Sequence, residues 1–217
     1  MTDYTTRRRI MVDTQIRPSD VTKFPIIDAF LSISKEKFVP DGQREAAYVG
    51  ENLKIGSSRV ILEPRTLAKL LDALDINNKE LVLDIGSGLG YSSAVISQIA
   101  EVVIAVEDDS GLARDAEEIL SEVGADNVVV QVGKLEDGAP EHGPYDVIIL
   151  QGGVEEIPAS ILKQLKNGGR VGAIFIEEGL GTAKIGFRLN DKVSWRYCFN
   201  AAAPVLSGFF KQKDFAL

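Results

Sequence analysis

The chain has 217 residues and a formal net charge of −8 at pH 7, a length that suits one good core and leaves little room for two independent domains. The negative balance argues against a general nucleic-acid surface, which draws on clustered Lys and Arg. Hydrophobic residues at 45% and charged residues at 26% give the balance of a globular chain rather than a disordered one, and a single cysteine excludes an intrachain disulfide.

The start of the chain, "MTDYTTRRRIMVDTQIRP", lacks the apolar centre of a signal peptide. No apolar run approaches the ~20 residues of a membrane span. A cytoplasmic protein with no membrane and no nucleic-acid partner is therefore expected, and nothing in the sequence marks its oligomeric state. The basic run Arg7, Arg8 and Arg9 reads as a solvated end. "VTKFPIIDAFLSI" carries apolar residues at 24, 26, 27, 30, 31 and 33, and "RTLAKLLDAL" at 67, 70, 71 and 74, both helical spacings. Between them "AAYVGENLKIGSSRVILEP" is neither clearly helix nor strand and predicts a loop over the site.

From Leu81 onward strands alternate with helices: "LVLDI", a helix through "SSAVISQIA", "VVIAVE", a helix through "GLARDAEEILSEVGA", and "NVVVQVG". Such alternation means parallel strands joined by crossover helices. "YDVIIL" is apolar enough to be buried on both faces. "IPASILKQLKNGG" reads as a helix with Pro158 near its start and Gly168 and Gly169 at its end, leading into "RVGAIFI". "KIGFRL" and "VSWRYCFN" flank the turn "NDK" and predict a closing antiparallel hairpin, with Cys198 buried there as a small hydrophobe. The expected fold is a single α/β domain over 1–217. It has a seven-stranded, mostly parallel Rossmann-like sheet in 79–217 and a helical and loop extension in 1–78.

The turn after "LVLDI" is glycine-rich: Gly86, Gly88 and Gly90 follow Asp84. In an open α/β sheet the ligand sits at the carboxyl ends of the strands. A dinucleotide turn spaces its third small residue one position later, where this chain has Tyr91, and a P-loop needs a Gly-Lys-Ser/Thr that is absent. Asp-x-Gly-x-Gly-x-Gly resembles the first motif of S-adenosylmethionine-dependent methyltransferases. In that reading Asp84 suits the ligand's amino group, Gly86, Ser87, Gly88 and Gly90 let backbone approach it, and Glu107, ending "VVIAVE", accepts from both ribose hydroxyls. Asp108 is a further candidate contact. No metal-ligand spacing is present. His142 lies before the fourth strand, at the wrong end of the sheet for catalysis.

Three separated blocks then resemble the protein-L-isoaspartate (D-aspartate) O-methyltransferase family over roughly residues 11 to 180: "SISKEKFVP", "LKIGSSRVILEPRTLAKLLDAL" and "YDVIILQGGVEEIPASILKQLKNGGRV". The resemblance implies methyl transfer from S-adenosylmethionine to the α-carboxylate of an isoaspartyl residue, a repair reaction on damaged protein. The family's Gln-Thr-Ile-Ser-Ala-Pro-His becomes "RVILEPR" here. Leu62 stands where the family has the serine that binds near the reacting carboxylate, and leucine cannot donate a hydrogen bond. Arg59 replaces the Gln and Arg65 the His, and either guanidinium is a candidate grip on the acceptor carboxylate, set against simple charge pairing with Glu63. In "VGKLEDG" Lys134 stands where the family has an acid near the adenine, and Glu136 or Asp137 is expected to restore that contact. A changed acceptor, or a protein that binds cofactor or partner without catalysis, are the alternatives these departures raise.

Overall fold

Asp3 accepts a hydrogen bond from the Thr6 amide and so caps α1 (Tyr4–Met11). The computed structural model describes residues 3–56 and 59–211. After α1 the chain continues as a wider turn over Val12–Ile16, which buries Val12 and Ile16, and reaches α2 (Phe24–Ser32), which starts at Phe24 with Pro25 in its first turn. Arg8 departs from the solvated end expected of the basic run. Its guanidinium donates to Tyr48 Oη at 3.0 Å, Leu31 O at 3.0 Å and Ser34 Oγ at 2.8 Å, tying α1 to the segment after α2.

The loop expected between the helices contains a two-stranded antiparallel ladder, β1 (Leu53–Lys54) with β2 (Val60–Ile61). Ser57 and Ser58, within the loop predicted over the site, lie outside the described residues. α3 (Pro64–Leu74) follows and ends on Asp75 in the left-handed conformation.

The alternating half then supplies β3 (Leu81–Ile85), α4 (Tyr91–Ser97), β4 (Val102–Glu107), α5 (Ser110–Glu122), β5 (Val128–Val132), β6 (Tyr145–Val154), α6 (Ala159–Lys163), β7 (Leu165–Glu177), β8 (Leu180–Leu189) and β9 (Lys192–Asn200). They form one seven-stranded sheet in the order β5-β4-β3-β6-β7-β8-β9. Pairings are parallel from β5 to β7 and antiparallel from β7 to β9. The closing hairpin is present, and because β8 also runs against β7 the end of the sheet is a meander.

The helix expected over 157–169 is short, since α6 stops at Lys163 and "LKNGG" joins β7. The register jumps from Tyr145 opposite Leu165 to Val147 opposite Arg170, and Gly168, at φ +85°, lets the excess residues bulge there. Cys198 is half-buried against the same cluster that buries its neighbour Phe199, at the register shift where two residues of β8 face three of β9.

The sheet separates two apolar clusters. Val82, Val103, Val147, Ile149, Ile174 and Ile185 pack with the N-terminal helices, and Leu83, Ile85, Ile104, Val106, Ile148 and Leu150 pack with α6 and the C-terminal segment. Residues 3–80 form a layer on the first of these sides, shared with α4 and α5, where α3 packs on β7 and β8 and α2 on α4. No helix among the described residues is long and apolar enough to cross a membrane.

Candidate active site

The turn between β3 and α4 lies at the centre of the sheet's carboxyl edge, with β4 on one side and β6 on the other. Gly86, Gly88 and Gly90 have φ of +78°, +58° and +88°, the left-handed region where a side chain is strained. Tyr91, which fills the slot a dinucleotide turn keeps small, is buried and packs edge-on against Phe38 at 5.7 Å and Phe30 at 6.4 Å. The departure in the sequence pattern is thus an anchor between the turn and the N-terminal layer.

Asp84 is fully buried. Its Oδ2 accepts from Ser92 Oγ at 2.7 Å and Ser93 Oγ at 2.6 Å, and its Oδ1 accepts from Gln151 Nε2 at 2.7 Å. Burial pushes its carboxyl above the usual range, and the three hydrogen bonds oppose that. Here Asp84 braces β3, α4 and β6 together. Sequence reasoning missed Ser92, Ser93 and Gln151. The signal was present in Gln151, a polar residue that ends the apolar run "YDVIIL".

Glu107 ends β4 beside the turn, as its spacing predicts, and is fully buried. Its Oε2 accepts from the Gly88 amide at 2.8 Å, and its Oε1 from the amides of Asp108 at 3.0 Å and Asp109 at 3.1 Å. Arg59 completes the shell: Nε lies 3.0 Å from Oε1, Nη2 lies 3.1 Å from it, and Nη2 also reaches Asp108 Oδ1. Burial pushes the Glu107 carboxyl upward and the neighbouring Asp108 adds to this, while Arg59 and the Asp109 and Gly88 amides pull it back. Asp108 itself is exposed.

The other candidates scatter. Leu62 is buried in the apolar cluster under the N-terminal layer. Glu63 stands at the N-terminal end of α3, where its Oε1 accepts from Thr66 Oγ1 at 2.6 Å, and Arg65 stands 3.8 Å from that oxygen with its guanidinium 5.7 Å from the centre of the Phe199 ring. Arg65 therefore takes the charge-pairing role at the surface. Glu136, half-buried in the turn Leu135–Asp137, lies against Gly208, and Asp137 and Lys134 are exposed. His142 is exposed before β6.

The residues present fit an adenosyl ligand in chemistry. The backbone at Gly86 and Gly88 forms a cradle in which a Cβ would meet Leu206 and Ile55, Ser87 Oγ is buried with no partner among the described residues, and a carboxylate stands at the end of β4. The cradle is lined by this chain's own side chains, Ile55 against Gly88 and Leu206 against Gly86 and Gly152. Neither contact was legible in the sequence.

Residues 7–187 match the family described as protein-L-isoaspartate(D-aspartate) O-methyltransferase. The chain belongs to this family. A protein-L-isoaspartate O-methyltransferase of Syntrophus aciditrophicus is 34% identical over 189 residues, spanning 85% of this chain and 87% of that one. One from Pelobacter propionicus is 37% identical over 165 residues, 76% of this chain and 73% of that one. Among solved structures, a protein-L-isoaspartate O-methyltransferase superposes with a TM-score of 0.81 at 24% identity, covering 95% of this chain and 66% of that one. A Plasmodium falciparum protein described by the same activity, in complex with S-adenosyl-L-homocysteine, superposes with a TM-score of 0.78 at 15% identity, covering 95% and 99%. These two show a shared fold. The family is one of S-adenosylmethionine-dependent methyltransferases.

Proposed function

We propose that this chain holds S-adenosylmethionine over the turn after β3 and transfers its methyl group to a carboxylate oxygen of a protein acceptor, the isoaspartyl α-carboxylate being the class. The observation that carries the reading is Glu107, a buried carboxylate at the end of β4 bonded to the Gly88 amide at 2.8 Å. Glu107 would take the ribose hydroxyls, the backbone of Gly86, Ser87 and Gly88 would lie against the ligand, and Asp84 would hold the turn rigid. Asp108 and Glu136 stand at the rim as candidate contacts to the remainder of the nucleoside.

The cofactor supplies a methyl group on a positively charged sulfur. With the cofactor bound, an acceptor carboxylate oxygen would take the methyl group as the sulfur–carbon bond breaks, the electron pair of that bond staying on sulfur. No proton moves, so the chain needs no general base. Its task is in-line positioning and exclusion of water. Leu62, Tyr91 and Val60 supply apolar cover beside Ser87 and Gln151.

A second reading, a changed acceptor, is favoured by one observation: Leu62 presents only carbon where the family's motif has a serine. Methyl ester formation is the test, run with labelled S-adenosylmethionine on an isoaspartyl peptide and on whole-cell protein. Base-labile label on the peptide supports the isoaspartyl class. Label on cell protein alone supports the changed acceptor, and no label on either refutes both.

A further inference from the structure

A ribose binds a carboxylate by donating two hydroxyl protons to it, and a carboxylate has about four acceptor sites. Those of Glu107 are taken by the amides of Gly88, Asp108 and Asp109 and by Nε and Nη2 of Arg59. The amides are fixed by the backbone. The guanidinium is carried on a flexible stem from the segment before β2. Only 6% of the Arg59 side chain and none of the Glu107 side chain is exposed, so water screens this pair little.

Resting on the reading of Glu107 as ribose acceptor, we propose that Arg59 is the residue that sets cofactor affinity in this chain: it competes with the ribose for Glu107, and cofactor enters by displacing it. Two further observations support the exchange. Arg59 Nη1 is buried with no partner among the described residues, so the guanidinium is incompletely satisfied where it sits. An open cleft of about 550 Å³, bounded by Arg59, Ile55, Asp108, Asp109, Asp115 and Ser207, adjoins the pair, and Asp108, which already holds Nη2, can keep the displaced cation paired beside Asp109 and Asp115. Ile55, four residues before Arg59, covers Gly88 and donates its amide to Arg59 O at 3.0 Å, so the guanidinium and the cover over the turn belong to one segment.

Binding of S-adenosyl-L-homocysteine to the full chain tests this by calorimetry, comparing the parent with Arg59→Gln, which keeps the polar stem and removes the charge. The variant is expected to bind at least tenfold tighter while melting at a lower temperature without ligand. A guanidinium that only braced the fold would lower the melting temperature and leave affinity unchanged or weaker, and that result overturns the proposal.

A second measurement needs no variant. The Arg59 Nε–Hε resonance of the parent is expected to be protected from water in the free protein and to shift and lose protection at saturating S-adenosyl-L-homocysteine. An unmoved, protected resonance at saturation also overturns it. If the parent binds and Arg59→Gln binds no tighter, competition alone is refuted. If neither protein binds at millimolar ligand, the cofactor reading falls and competition with it.

Discussion

Removing the Glu107 carboxylate takes away the counter-charge of a buried arginine and, on the proposed function, the acceptor for the ribose. Glu107→Gln is expected to weaken S-adenosyl-L-homocysteine binding by about 1.5–3 kcal/mol, roughly 10- to 150-fold. It also leaves Arg59 facing only Asp108, whose side chain is 32% exposed. Breaking one half of a buried pair costs about 3–5 kcal/mol, and the partner that remains places this case at the lower end. Combining Glu107→Gln with Arg59→Gln should recover most of that stability and none of the affinity, which chemical denaturation and calorimetry on the four proteins would read. Leu62 makes the contrasting case. It is 1% exposed among carbon atoms, so Leu62→Ser exchanges packing for a buried hydroxyl. A loss of about 2–5 kcal/mol is expected, visible as a lowered denaturation midpoint at unchanged slope. An unchanged midpoint would mean that the site around position 62 can open to water.

The segment after β9 acts as a strap. The Gly153 amide donates to Pro204 O at 2.8 Å, the Leu206 amide donates to Gly153 O at 2.9 Å, and the Glu155 amide donates to Phe209 O at 2.9 Å. These bonds fasten residues 204–209 along the end of β6 and hold Leu206 where a Cβ on Gly152 would meet it at 2.5 Å. Leu206→Ala is expected to lower the melting temperature and to raise the association rate of S-adenosyl-L-homocysteine by about tenfold or more, because the space beside Gly86 opens. Stopped-flow binding would show it, and an unchanged rate would place entry elsewhere. The strap also marks where the sequence stops being legible. Periodicity located α2 and α3, and the alternation of strands with helices gave α5 and the sheet through β7 with its hairpin, since burial on one face leaves a repeating trace. Glu107 was legible because its place depends on a spacing within one β-turn-α-β unit. The Arg59 to Glu107 pair joins residues 48 apart in different layers, and Leu206 lies beyond the blocks that resemble the family. Contacts of that kind leave no local pattern.

At the scale of the whole molecule, Lys35 is a buried charge, among the described residues, that neither the turn nor the carboxylates explain. It is fully buried, its Nζ lies 5.5 Å from the centre of the Tyr91 ring, and that Nζ has no hydrogen-bond partner among the described residues. Burial pulls its ammonium down from 10.5 to about 7, with Glu63 opposing. A depressed value in the folded protein means that the unfolded chain binds more protons between about 7 and 10.5, so stability rises with pH through that window and is flat below it on this account. Lys35→Met is expected to remove that slope and to stabilise the protein most at or below pH 7. Urea denaturation of both proteins from pH 6 to pH 10 would test it, and parallel curves would contradict it.

The N-terminal layer shares one apolar cluster with Ile174, Ile185 and Phe199. A ribosome releases α3, whose Leu74 lies against Gly172 of β7, long before it has made β7 and β8, so that face of the helix emerges without the surface it will cover. Local sequence can form α3 early, but its greasy face stays open to other chains until nearly the whole polypeptide has left the tunnel. Nascent chains halted after residue 176 should therefore remain protease-sensitive in 64–74 and be held by chaperones. Chains released at full length should become resistant there in a single step.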